Sequence, residues 1–333
     1  MRRRLTALAL CVLLAGCGAQ VREPGADGAP GYPVTIRNCG QAVTYDRPPE
    51  RVVAYDSGIV EMMFALGLGD RMAGYVLPGS KEAEIASSPW RADYQQVRRL
   101  GADSISKEVV LEAGADFVFA GWSYGFREDT GLTPQQLGEL GIDSYVLTES
   151  CRNGSTESAR GIMPPLEALY TDLRNLGQIF GVSDRAERLI AEYQTTVREA
   201  EALVRTDRPK PTVFLYDSGT DKPFTAGRFA AANEIITRAG GDSIMHDLQD
   251  TWTTVSWETV VERDPDVIVI NDYDEPSAAG KRAFLEAHPA LAQVSAIRHG
   301  RFVVLPYVSL VESPRNPAAV RTMAEYLRTV HVT

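Results

Sequence analysis

Two short stretches decide how this chain is read: AYDSG at Ala54–Gly58 and LYDSG at Leu215–Gly219. Four shared residues mean little unless their surroundings repeat as well, and they do. RVVAY, ending at Tyr55, is a β-branched run that predicts a buried strand. DSG is a turn, and IVEMMFALGLGD (Ile59–Asp70) has helical spacing that stops at glycines. In the second copy PTVFLY (Pro211–Tyr216) predicts the strand and DSGTDKPFTAGR a longer loop. FAAANEIITRAGGD (Phe229–Asp242) then predicts a helix that also ends at Gly-Gly-Asp.

A second echo follows each first one. SKEVVLEAGADFVFA (Ser106–Ala120) aligns without gaps on SWETVVERDPDVIVI (Ser256–Ile270), with Ser, Glu, Val, Glu and Asp coinciding. Each reads as a short helix with an N-terminal Ser cap, a turn, and a buried strand. SYVLT closes the first copy and RFVVLP the second. Two copies of an alternating strand–helix unit predict an α/β fold of two Rossmann-like lobes with mostly parallel sheets. Between them SDRAERLIAEYQTTVREAEALVRT (Ser183–Thr206) carries Ala186, Leu189, Ile190, Tyr193, Val197, Ala200 and Val204 at helical spacing. It predicts one long interlobe helix of roughly 35 Å at 1.5 Å per residue. A helix is a stiff connector, so hinge motion should be small.

The first residues read as an export signal. MRRR is a cationic start, and LTALALCVLLAG is an apolar run too short to span a bilayer. It ends in Leu14-Ala15-Gly16-Cys17, which resembles the bacterial lipobox, so Cys17 is the expected lipidation site. Residues 1–16 are read as signal peptide and 17–33 as a lipidated, flexible Gly/Ala/Pro-rich tether. The N-terminal lobe is assigned to 34–182, the interlobe helix to 183–206 and the C-terminal lobe to 207–333. The place of work is therefore extracytoplasmic, at the cell membrane through the lipid anchor. Of four cysteines, Cys11 leaves with the signal and Cys17 carries lipid. Cys39 and Cys151 remain in an oxidising compartment and are expected to form one disulfide. The net charge of -10 argues against a general binder of nucleic acid or anionic membrane.

NEIITRAGGDSI (Asn233–Ile244), VSWETVVERDPDVIVI (Val255–Ile270), LGQIFGVSDRAERLIAEY (Leu176–Tyr193) and PERVVAYDSGIVEMMFALGLGDRMAGY (Pro49–Tyr75) together resemble a known family. It is the helical-backbone class of ABC-importer substrate-binding proteins, which includes receptors for ferric siderophores, vitamin B12 and haem. The resemblance runs from about Val34 to the C-terminus. One departure is GADFVF, where the family has Pro-Asp-Leu-Val. The resemblance implies two α/β lobes joined by one long helix, with a ligand clamped between them. It also implies that an acidic residue in each lobe, here Glu108 and Glu258, docks into arginine pockets on a dimeric ABC permease.

In open α/β sheets ligands collect beyond the carboxyl ends of the strands. That rule selects Tyr55 and Asp56 in the first YDSG loop and Tyr216 in the second. It adds Trp122, Tyr124 and Arg127 from GWSYGFRED. The second half contributes Phe224, Arg228, Trp252, Tyr273, Tyr307 and Arg315. Aromatic rings suit a bulky organic ligand, and the three arginines could pair with its negative charge. The four histidines (His246, His288, His299, His331) form no close pair, so no bare metal site is expected. Haem needs a single axial residue, for which a cleft tyrosine is the candidate. No GxSxG elbow or P-loop is present, and GLGDRM follows a helix rather than a strand, so no enzyme is expected. The expectation is a monomeric, lipid-anchored receptor without a resident cofactor. It would take a metal chelate, foremost an Fe(III)-siderophore complex, with a corrinoid or haem as the alternative and a two-lobed α/β metalloenzyme as the remoter one.

Overall fold

The computed structural model describes residues 29–79, 81–152, 161–273 and 275–332. Two parallel sheets organise the chain, and they share one strand order. In the N-terminal lobe the order is Arg99–Gly101, Met72–Val76, Val52–Tyr55, Phe117–Trp122, with Asp143–Val146 on the far side of Phe117–Trp122. In the C-terminal lobe it is Asp242–Ser243, Thr212–Tyr216, Val267–Asp272, Phe302–Pro306. The strand of each YDSG unit thus lies beside the strand of each second echo, which in turn lies beside the strand closing its copy.

The helices of the echoes start as read. Ser106 caps Lys107–Glu112 by accepting from the Val109 N–H, and Ser256 caps Trp257–Arg263 by accepting from the Thr259 N–H. The four central strands Val52–Tyr55, Phe117–Trp122, Thr212–Tyr216 and Val267–Asp272 are buried on both faces, and their two-residue period divides each between two cores. Val52, Ala54, Phe117 and Phe119 face a central core, while Val53, Val118 and Ala120 face an outer one. In the second lobe Val213, Leu215, Val267 and Val269 join the central core, and Phe214, Tyr216, Ile268 and Ile270 face their own outer core.

The central core is continuous between lobes. It runs through the helices Pro165–Ile179, Ser183–Glu201, Ala231–Arg238 and Asn316–Leu327. Ser183–Glu201 buries Ala186, Ile190, Tyr193, Val197 and Ala200 against helices of both lobes. It ends at Glu201, earlier than the apolar spacing through Val204 predicts. Leu203 and Val204 instead close tight turns on the carbonyls of Ala200 and Glu201. The helix is therefore about 28 Å long at 1.5 Å per residue, not 35 Å.

Cys39 and Cys151 form a disulfide, with Cα atoms 5.2 Å apart. It ties the N-terminal hairpin (Val34–Asn38, Gln41–Tyr45) to the end of the sheet. Among the described residues no helix is long and apolar enough to cross a membrane. Cys17 lies outside the described residues.

Candidate ligand-binding site

The repeated YDSG loops sit beyond the carboxyl ends of corresponding strands, one per lobe, and strand parity fixes what each residue does. Tyr55 and Tyr216 both point to the outer face of their sheets. Tyr216 is buried against Trp257 and Phe284, with ring centroids 5.6 and 6.2 Å away. Tyr55 packs on the first lobe's outer core, beside Gly125. Burial pushes both phenols up to about 12. Neither ring lines the cleft. The next residues, Asp56 and Asp217, do.

The glycines of the two loops serve different ends. A Cβ on Gly58 would lie 2.3 Å from the Glu312 carbonyl oxygen, so this glycine permits the C-terminal lobe to approach. Gly219 has a φ of 88°, a left-handed turn that glycine adopts without strain.

Between the lobes lies a cleft of roughly 520 Å³, within the range of small-molecule sites. Tyr307 from the C-terminal lobe donates to Asp56 Oδ2 at 3.1 Å, joining the lobes across its floor. Tyr273 donates to Asp217 Oδ2 at 2.7 Å, and Asn271 Nδ2 donates to Oδ1 at 2.6 Å. The two tyrosine rings lie 5.5 Å apart. Lys81 points its ammonium at the Tyr307 ring, 4.5 Å from the centroid, and at Glu84, 3.9 Å away.

The walls are aromatic. Phe224 and Trp252 stack at 5.9 Å on a short antiparallel strand pair, Phe224–Ala226 with Trp252–Thr254, whose Phe224 is bridged to Ser218 beyond the end of strand Thr212–Tyr216. Trp122 and Tyr124 face them from the first lobe. Trp122 is fixed by its N–H bond to Ser150 Oγ and by the Arg152 guanidinium, 3.8 Å over its ring. Burial raises the Asp56 pKa, opposed by Lys81 and the Tyr307 hydroxyl. Burial also lifts Glu84 to about 7. Burial next to Asp56 holds the Tyr307 phenol well above its usual range, so it stays a hydrogen-bond donor.

Of the residues selected from the sequence, Asp56, Trp122, Tyr124, Phe224, Trp252, Tyr273 and Tyr307 converge on the cleft. The arginines do not. Arg127 is exposed and paired with Asp129, Nε to Oδ1 at 2.9 Å. Arg228 is exposed beside the Phe229 ring. Arg315 is buried and forms a two-pronged pair with Glu61 of the other lobe, Nε to Oε2 at 2.7 Å. Position after a strand does not say which way a side chain turns, and a partner 254 residues away is invisible locally.

Sequence reasoning missed Pro78, Gly79, Lys81, Ser123, Asp217, Asp250 and Thr251. Asp217 carried a signal, since it repeats Asp56. Glu108 and Glu258 are exposed in the first turns of their short helices. Local backbone N–H groups and the capping serines lower both carboxyl pKa values. Among the described residues no group of three or more His, Cys, Asp or Glu side chains could hold a metal ion.

Below the cleft, three buried carboxyl groups join the lobes. Glu149 Oε2 accepts from the Glu312 N–H at 2.9 Å, and Glu312 Oε2 accepts from the Glu149 N–H at 2.8 Å. Glu149 Oε1 also accepts from the Ala231 N–H at 3.0 Å. Glu312 Oε1 is buried without a donor to accept from and faces Asp172. Two carboxylates cannot share that space unless one is protonated. Burial and the neighbouring acids push Glu312 well above its usual range, so it donates to Asp172. Asp172 in turn accepts from the Tyr145 hydroxyl at 2.6 Å and the Thr148 N–H at 2.9 Å.

Most of the chain is similar to known proteins. A family model described as periplasmic binding protein matches residues 52–308. An uncharacterised ABC transporter substrate-binding lipoprotein, YvrC, of Bacillus subtilis is 24% identical over 326 residues, 96% of this chain and 94% of that one. The vitamin B12-binding protein of Yersinia pestis is 24% identical over 227 residues, 67% of this chain and 69% of that one. The crystal structure of an ABC-type Fe3+-hydroxamate transport system from Saccharomonospora viridis shares the fold. Its TM-score is 0.74 at 24% identity, covering 89% of this chain and 99% of that one.

Proposed function

Because this chain belongs to the periplasmic binding protein family, we propose that it captures a metal chelate, foremost a ferric siderophore, between its lobes and delivers it to a membrane permease. It is a substrate-binding protein of an ABC transporter and not an enzyme. The observation that carries the ligand reading is the cleft itself. Aromatic walls from both lobes, Trp122 and Tyr124 against Phe224 and Trp252, stand over a floor of hydrogen-bonded Asp and Tyr side chains. Such a surface gives broad apolar contact to the organic shell of a chelate and a few directed polar contacts to its rim. A compact trihydroxamate complex suits a cleft of this size. A corrinoid, the second reading, is a larger disc that would protrude from it; the name of the Yersinia pestis relative favours it. Haem is the weaker alternative. Tyr307 would have to surrender its bond to Asp56 and its proton, which that burial opposes.

Delivery would use Glu108 and Glu258. Each opens a helix that feeds the start of a parallel strand, so each helix begins on the carboxyl side of its sheet, where the cleft lies. One exposed acid per lobe suits a two-fold permease. Cys17 would carry the lipid anchor that keeps a monomeric receptor beside that permease. The rigid shared core and the buried interlobe pairs favour capture with little hinge motion. Tryptophan-fluorescence titration against ferric siderophores, cobalamin and haem tests this reading, because Trp122 and Trp252 flank the cleft. Saturable one-to-one quenching by a chelate is expected; a flat response to all three classes refutes it.

A further inference from the structure

Resting on the chelate reading, we propose that the cleft selects its ligand by charge, accepting neutral or cationic chelates and refusing polyanionic ones. The sequence points the other way, since Arg127, Arg228 and Arg315 suggest an anion site. The structure removes all three from the lining. Arg127 and Arg315 are committed to Asp129 and Glu61, and Arg228 stands outside the cleft. What lines it instead is Asp56, Asp217 and Asp250 against a single cation among the described residues, Lys81.

Lys81 is no substitute for the missing arginines. It is buried, 3.9 Å from Glu84, with its ammonium over the Tyr307 ring. Its charge is already answered by a carboxyl group and an aromatic face. Arg152, stacked behind Trp122, is likewise paired with Glu128. On the acidic side, Asp217 Oδ2 accepts from Tyr273 and from Ser218 Oγ, the latter at 2.8 Å, and Oδ1 accepts from Asn271. Asp250 is half-buried beside the strand Trp252–Thr254, where its Oδ1 accepts from the Thr251 N–H at 2.8 Å. A triply negative tris-catecholate complex entering here meets fixed negative charge, with no guanidinium among the described lining residues to offset it. A ferric trihydroxamate, neutral or singly positive, meets acceptors for its N–H and ammonium groups and aromatic faces for its backbone.

The experiment compares three ferric complexes by fluorescence titration of the purified protein: a singly positive trihydroxamate, a neutral cyclic trihydroxamate and a triply negative tris-catecholate. Each is measured at low and high salt, then with the Asp217→Asn and Asp250→Asn variants. A unit charge facing one carboxylate across a partly solvated cleft corresponds to about a tenfold change in affinity. The tris-catecholate is therefore expected to bind at least about a hundredfold more weakly than either hydroxamate and to gain affinity with salt. Each Asn variant should narrow the gap by at least about tenfold. Asp250→Asn guards against a folding defect at the more buried Asp217. If the tris-catecholate binds as tightly as the hydroxamates, charge selection is wrong while the chelate reading stands. If none of the three binds, both fall.

Discussion

Replacing Glu312 by Gln should make this protein more stable at alkaline pH, although it alters a fully buried interlobe contact. Burial lifts Glu149 from 4.5 to about 7 and Asp172 from 3.8 to about 6, and burial beside Asp172 and Glu149 raises Glu312 well above its usual range. Their folded-state values exceed those of the unfolded chain. The stability they confer is thus complete below about pH 4 and lost as pH rises through about 6 to 7 and beyond. One buried group moved by about two units corresponds to on the order of 3 kcal/mol across that range. The three acids share protons, so the cluster loses an amount of this order rather than three times it.

In the Glu312→Gln variant the new side-chain amide would permanently donate to Asp172, where Glu312 must first hold a proton. The amide carbonyl would still accept from the Glu149 N–H. Urea unfolding at pH 5 and pH 8 measures the effect. Wild type should lose on the order of 3 kcal/mol between the two, and Glu312→Gln should recover about 2 kcal/mol at pH 8 while changing little at pH 5. Equal destabilisation at both pH values would refute a protonated Glu312.

Three further outcomes follow from the same structure. Cys151→Ser opens a loop that joins residues 112 apart, and should cost on the order of 4 kcal/mol in the same urea assay. Glu61→Gln strands the buried Arg315 guanidinium and should cost about 3 to 5 kcal/mol; pairing it with Arg315→Met should restore much of that loss. Glu108→Ala with Glu258→Ala should leave ligand affinity unchanged in titration and abolish uptake in cells; normal transport by the double variant removes their docking role.

The fold was legible because it is written twice. Helical and strand periods are local, and a repeat that keeps both Ser caps and both strand runs leaves one architecture open. Strand parity also turns both tyrosines away from the central core, because Tyr55 and Tyr216 lie two residues after Val53 and Phe214 and share their outer face. The site was legible only in part. Trp122 ends, and Tyr273 and Tyr307 directly follow, strands of the two main sheets, so the rule about carboxyl ends finds them. Asp250 and Thr251 precede the strand Trp252–Thr254, which reaches the cleft only by pairing with the distant Phe224–Ala226. Arg315 is claimed by Glu61 from the opposite lobe, and the buried acids Glu149, Asp172 and Glu312 meet only where three distant segments converge. No local pattern announces a pairing of that kind.

The central claim is that one metal chelate lies between the lobes, among residues from both copies of the repeat. Anomalous diffraction at the iron edge, from crystals of the protein saturated with a ferric trihydroxamate, measures that position directly. A single peak is expected in the cleft bounded by Trp122, Trp252 and Tyr307; a peak on the outer surface, or none in crystals grown from saturated protein, contradicts binding between the lobes.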